Sequence, residues 1–163
     1  MMANKYVSST IPINSTPLKE AQFTRADVHL HEVDHSGASY EGRIFLNNPE
    51  ADDKTPTEPE NGYAGSFYVF SHGGCFGDIG HCELQTGVRP YDKRLKSPTV
   101  PRDISVIVTD RLKDLAKNSD QVTVTIVPVV DPDNYSPEGY NVDVANCLRF
   151  KDIDIRLYEA PGQ

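Results

Sequence analysis

Asp152-Ile153-Asp154-Ile155-Arg156-Leu157, near the end of the chain, decides the class of fold. Apolar and charged side chains alternate strictly there, the pattern of a strand with one face on a core and one toward water. A helix would instead repeat its apolar residues three and four apart. The same period recurs upstream. Val28 and Leu30 alternate with His29 and His31, and Ile104, Val106 and Val108 alternate in their turn. Gln121–Val129 is a β-branched run that sets Val122, Val124 and Ile126 on one face. Tyr40–Leu46 reads as a strand closed by Asn47-Asn48-Pro49. In Ala64–His72, Phe67 and Val69 share one face and Tyr68 and Phe70 the other, so a central strand is expected. Cys147, among Val142, Val144 and Leu148, is expected as a buried thiol on a further strand.

One helix is expected, over Arg111–Lys117, with Leu112, Leu115 and Ala116 on its apolar side. Thr109 or Asp110 offers the N-cap, and Asn118-Ser119 the stop. Asp131-Pro132-Asp133-Asn134 reads as a turn. Together these elements predict an all-β fold, an antiparallel β-sandwich of about seven or eight strands, Greek-key or jelly-roll-like, with one short helix. No fixed-period repeat points to a propeller or solenoid.

The chain has 163 residues, a length that suits one domain and is short for two. Residues 1–22, rich in Ser, Thr, Asn and Pro, are expected as an extended arm, and residues 23–163 as a single sandwich domain. Residues 48–62 are acidic and Pro-rich and are expected as a solvated loop with little to bury. Residues 85–102, with three prolines, read as a long irregular connection.

A formal net charge of −8 and a pI near 5.0 argue against nucleic acid and against an anionic membrane surface. Val122–Val130, among the longest apolar stretches, is far too short to span a bilayer. The first residues carry no cationic region followed by an apolar run, so the chain as written is expected in the cytoplasm. Three cysteines, an odd count, fit a reducing compartment better than a disulfide framework.

All five histidines fall in two short regions. His29 and His31 project from one strand face with His35 close behind, an arrangement that could bind a transition metal. The plainer reading, and the preferred one, is that they are partly exposed strand residues on a solvent face. The second region is His72-Gly73-Gly74-Cys75-Phe76-Gly77-Asp78-Ile79-Gly80-His81-Cys82. Thiolate with imidazole suits Cu(I) or Zn(II), although no paired C-x₂-C knuckle is present. A Cys75–Cys82 disulfide and a structural loop with inert cysteines are the alternatives. Neither a cysteine nucleophile nor a phosphate cradle is supported, because no partner constellation follows from sequence adjacency and no Lys-Ser/Thr follows the glycines. The candidate metal residues are therefore His72, Cys75, His81, Cys82, His29 and His31, with no catalytic residue assigned.

Two blocks carry a family resemblance. Asp34-His35-Ser36-Gly37-Ala38-Ser39-Tyr40-Glu41-Gly42-Arg43-Ile44-Phe45-Leu46-Asn47-Asn48-Pro49 resembles a segment in the C-terminal portion of bacterial tyrosinase-family proteins. So do Gly62–Asp78 with Gly80-His81-Cys82, and the later Val122–Val129; the similarity covers residues 26–130. In that family six histidines of a separate helical domain hold two copper ions, and this chain has neither the helices nor the histidine pairs for such a site. The resemblance implies a non-catalytic accessory domain whose partner, in cis or in trans, is a helical dicopper oxidase domain. Such a domain shields the copper site with an aromatic or aliphatic side chain, and Phe76 is the expected plug. In some fungal members cysteines spaced C-x-x-C assist copper loading; here Cys75 and Cys82 are spaced C-x₆-C. Copper, as Cu(I) or Cu(II), is the implied cofactor. Two alternatives stand beside this reading: a small mononuclear metalloenzyme using His29, His31, His72 and His81, and a metal-free structural or ligand-binding sandwich.

Overall fold

A computed structural model describes residues 3–12, 23–35, 37–70, 91, 101–119, 121–131 and 144–159. His72, Cys75, Phe76, His81 and Cys82 lie outside the described residues, as do Pro132, Asp133 and Asn134 of the expected turn. The fold is antiparallel and all-β, with nine strands and one α-helix among the described residues. In order these are β1 (Tyr6–Val7), β2 (Ile11–Pro12), β3 (Phe23–Val33), β4 (Tyr40–Leu46) and β5 (Tyr63–Val69), followed by β6 (Arg102–Ile107), α1 (Thr109–Ala116), β7 (Gln121–Val122), β8 (Val124–Val129) and β9 (Asp152–Glu159).

Two sheets make the sandwich. One has the order β1-β8-β4-β5 and the other β6-β3-β9, while β2 and β7 form a short ribbon. Their inner faces meet in one core. Val28 and Leu30 of β3 pack there with Ile44 and Leu46 of β4, Phe67 and Val69 of β5, and Val124 and Ile126 of β8. Leu112 anchors α1 to the same core. The alternation expected along β3, β6 and β9 is therefore real, and it sets which side chains face outward.

Several local expectations are corrected. Within the expected extended arm, of which residues 13–22 lie outside the described residues, Tyr6–Val7 pairs with Ile126–Thr125, and Ile11–Pro12 with Val122–Gln121. Strands of two residues carry no period, so their only signal is their ladder partner. Among the described residues strand β5 is an edge and not a central strand; it pairs with β4, and Tyr68 and Phe70 are 61% and 81% exposed. Its apolar outer face is uncovered among the described residues. Residues 48–62 do bury something: Ala51 packs with Phe45 and Val127, and Tyr63 and Val129 border that cluster. Lys5 Nζ donates to Pro49 O at 2.6 Å and to Ala51 O at 3.1 Å, fastening the loop to the N-terminal segment.

The helix begins at Thr109, so its cap lies one residue before Thr109 and two before Asp110, the two expected caps. Val108 occupies the cap position, and Thr109 Oγ1 instead accepts from the backbone N–H of Ala26 at 2.9 Å. Cys147 is buried as expected, but in a turn and not on a strand. The run Gln121–Val129 is broken at Thr123, whose N–H donates to Asn47 Oδ1 at 2.8 Å. Asn47 has φ 54°, a left-handed conformation that Asn tolerates better than most residues. Gly42 faces Phe67 across the β4–β5 ladder, and a Cβ there would meet the Phe67 ring at 2.3 Å.

Candidate metal centre

The outer face of the β6-β3-β9 sheet is built by register. Along β3, Val28 and Leu30 turn inward, which sends Asp27, His29 and His31 outward. Strand β6 lays Ser105 opposite His29, and β9 lays Asp154 opposite the same histidine. Asp152 faces His31, and Arg156 faces Asp27. The β3–β6 ladder shifts register between Leu30 and Val33, where Glu32 has φ 51°. That bulge lets the Glu32 N–H donate to Asp103 Oδ1 at 2.9 Å, drawing Asp103 toward the two histidines.

The imidazoles of His29 and His31 meet edge to face, with ring centroids 4.5 Å apart and planes at 72°. One ligand atom from each of His29, His31 and Asp103 lies within 4.8 Å of the others. His29 Nδ1 shares a 2.7 Å hydrogen bond with Ser105 Oγ. Its Nε2 is buried, stands 3.5 Å from Asp103 Oδ2, and has no hydrogen-bond partner among the described residues. His31 Nε2 lies 2.6 Å from Asp154 Oδ2, and Arg156 Nε donates to the other oxygen of that carboxylate at 3.1 Å.

The charges follow from these contacts. The Glu32 backbone N–H, opposed by partial burial and reinforced by both imidazoles, holds the Asp103 carboxyl below its ordinary value. For Asp154, burial pushes upward, but hydrogen bonds from His31 and Arg156 outweigh it and the net shift is downward. Both carboxylates are thus ionised near neutrality. Asp27, next along the face, is 1% exposed at its side chain and is clasped by Arg25 through two 2.7 Å contacts. The Arg25 guanidinium is raised by that hydrogen-bonded pairing and lies over the Tyr158 ring at 5.4 Å.

Of the residues singled out from sequence, His29 and His31 are brought together. The expectation of a plain solvent face fails for His29, which is buried. His35 is not in the cluster; its Nε2 is buried elsewhere without a partner among the described residues. Asp103, Ser105, Asp154 and Arg156 were missed. Their alternation with Ile104, Val106, Ile153 and Ile155 already assigned them to outer faces, and only the strand pairing was lacking.

No family model matches the sequence, and no curated protein matches it. Solved structures do. Recombinantly expressed latent aurone synthase, a polyphenol oxidase, matches at a TM-score of 0.52 and 15% identity over 99% of this chain and 25% of that one. Latent aurone synthase from its natural source gives 0.52 and 18% over 99% and 25%. The recombinant enzyme co-crystallised with hexatungstotellurate(VI) gives 0.54 and 14% over 96% and 24%. At these identities the likeness is one of fold, and this chain spans about a quarter of the length of the chains it matches. Its fold is that of one part of a polyphenol oxidase structure, the enzyme type to which the sequence resemblance pointed.

Proposed function

We propose that this chain is a non-catalytic accessory domain that packs, in cis or in trans, over a helical dicopper oxidase domain and restricts access to it. The observation that carries this reading is the match of nearly the whole chain to only a quarter of latent polyphenol oxidases. A part of a latent oxidase that lacks copper-binding helices is suited to holding the enzyme closed. The aromatic pair Tyr68 and Phe70, stacked at 6.5 Å on the exposed side of edge strand β5, supports it further. Exposed aromatics in a cluster are the usual anchors of an interface. They lead directly into the glycine-rich segment that holds Phe76, the proposed plug. Cysteines 75 and 82 and histidines 72 and 81 would serve copper transfer in the same reading, with thiolate ligation favouring Cu(I).

Turnover at a coupled copper pair needs two metals held by several oriented imidazoles. Copper-loaded chain is therefore expected to oxidise catechol no faster than free copper at equal concentration. Added to a tyrosinase-family dicopper domain, it is expected to lower catechol oxidation, with Tyr68→Ser and Phe70→Ser weakening the effect. Turnover above the free-copper control, abolished by His72→Ala and His81→Ala, would replace this reading with the metalloenzyme alternative.

A further inference from the structure

We infer that His29, His31 and Asp103 form a binding site for one first-row divalent transition-metal ion, on the outer face of the β6-β3-β9 sheet. This inference does not depend on the accessory role.

Three observations converge on it. The first is the donor set: two imidazoles and a carboxylate, one atom of each within 4.8 Å of the others. Such mixed nitrogen and oxygen donors suit Zn²⁺ and Cu²⁺, whereas Mg²⁺ and Ca²⁺ prefer oxygen alone. Metal–ligand bonds are about 2.0–2.2 Å long, so these side chains need to close by only about 1 Å.

The second is the unpartnered nitrogen. His29 has a side chain only 9% exposed, yet its Nε2 makes no hydrogen bond among the described residues. A buried polar atom without a partner is costly. A metal ion would satisfy it.

The third is orientation by the other ring atom. When Ser105 Oγ accepts from Nδ1–H at 2.7 Å, Nε2 carries the lone pair and faces Asp103. Ligating histidines are commonly fixed in this way through the nitrogen that does not bind the metal. Asp154, 2.6 Å from His31 Nε2, plays the equivalent part if His31 binds through Nδ1, and becomes a fourth ligand if it binds through Nε2. Asp103 is half exposed, which leaves an entry path from solvent. Because His29 and His31 lie on β3 and Asp103 on β6, the ion would clamp the two strands at the bulge.

The test must separate this site from the glycine-rich segment. Full-length chain carrying Cys75→Ser, Cys82→Ser, His72→Ala and His81→Ala is titrated with Zn²⁺ by calorimetry and with Cu²⁺ by electron paramagnetic resonance. The expected result is one equivalent of either metal, with a copper spectrum showing two nitrogen ligands. Asp103→Asn and His31→Gln, both at partly exposed side chains, should weaken binding about 100-fold, and Ser105→Ala about tenfold. Circular dichroism of each variant without metal controls for folding. Unchanged affinity in folded Asp103→Asn and His31→Gln proteins would overturn the inference. So would loss of all binding in the four-site variant, which would move the ion to the glycine-rich segment.

Discussion

On the outer face of the four-stranded sheet, Phe45 and Val127 are sealed beneath residues 48–62, with Ala51 pressed against them. On the outer face of the three-stranded sheet, Asp27, His29 and His31 are buried or half-buried, yet every one of them is ionisable. The first face is dry because an acidic loop, polar by composition, carries one apolar residue to the right place. The second covers Asp27 and His29 with its own polar side chains, through the Arg25–Asp27 clasp and the Asp103–His29–His31–Asp154 chain. Burial on one face is a consequence of hydrophobicity, and on the other of charge pairing. The charged arrangement is costly to maintain and brings little net stability.

Four experiments probe this contrast. The largest effect is expected from Phe45→Ala, which opens a cavity beneath the loop and should cost about 3–5 kcal/mol in urea unfolding. A loss below about 1 kcal/mol would mean that the loop does not seal this face in solution.

On the opposite face, Arg25→Ala should destabilise more than Asp27→Asn. The first strands a buried carboxylate, while the second leaves a guanidinium that can turn to water. Equal melting temperatures for the two variants would show that Asp27 is hydrated.

The shared inner face is the reference. Gly42→Ala drives a methyl into the Phe67 ring and should cost about 1–3 kcal/mol. In a Phe67→Ala background that penalty should vanish, and a double-mutant cycle measures the difference.

The smallest effect at neutral pH is expected from Tyr40→Phe, since the buried hydroxyl has no hydrogen-bond partner among the described residues. Burial, with the nearby Cys147 and Asp34, raises the Tyr40 phenol far above its ordinary value. A group whose pKa is raised on folding contributes stability below its unfolded pKa, about 10, and loses that contribution as pH climbs from there toward the folded value. Wild type should therefore lose stability more steeply than Tyr40→Phe in alkaline denaturation above about pH 10. Parallel profiles would place the phenol in solvent.

How far the sequence could be read depends on what each element needs from the rest of the chain. Strands β3, β6 and β9 were legible because each has one apolar and one polar face, and alternation records that directly. The Tyr68–Phe70 side of β5 misled, because apolar residues exposed at a sheet edge look the same as residues buried in its middle. The helix was found, but its cap was misjudged, since the Thr109 hydroxyl is committed to Ala26 on another element. Two of the three residues of the candidate metal centre, His29 and His31, were visible in the sequence. Asp103 was not, because only the bulge at Glu32 brings it alongside.

Pairings between distant parts of the chain also fix how this sandwich must assemble. Tyr6 is matched to Ile126, and Arg25 to Tyr158, so both sheets wait for late-synthesised segments before their ladders can close. Loop-closure entropy must be met before such contacts repay it, and folding dominated by them falls in the millisecond-to-second range. Until β9 arrives, β3 has one open edge along most of its length, and the emerging chain offers neighbours a template for mispairing. Shortening the C-terminus past Asp152 should therefore show first as poor soluble yield and only then as a lower melting temperature.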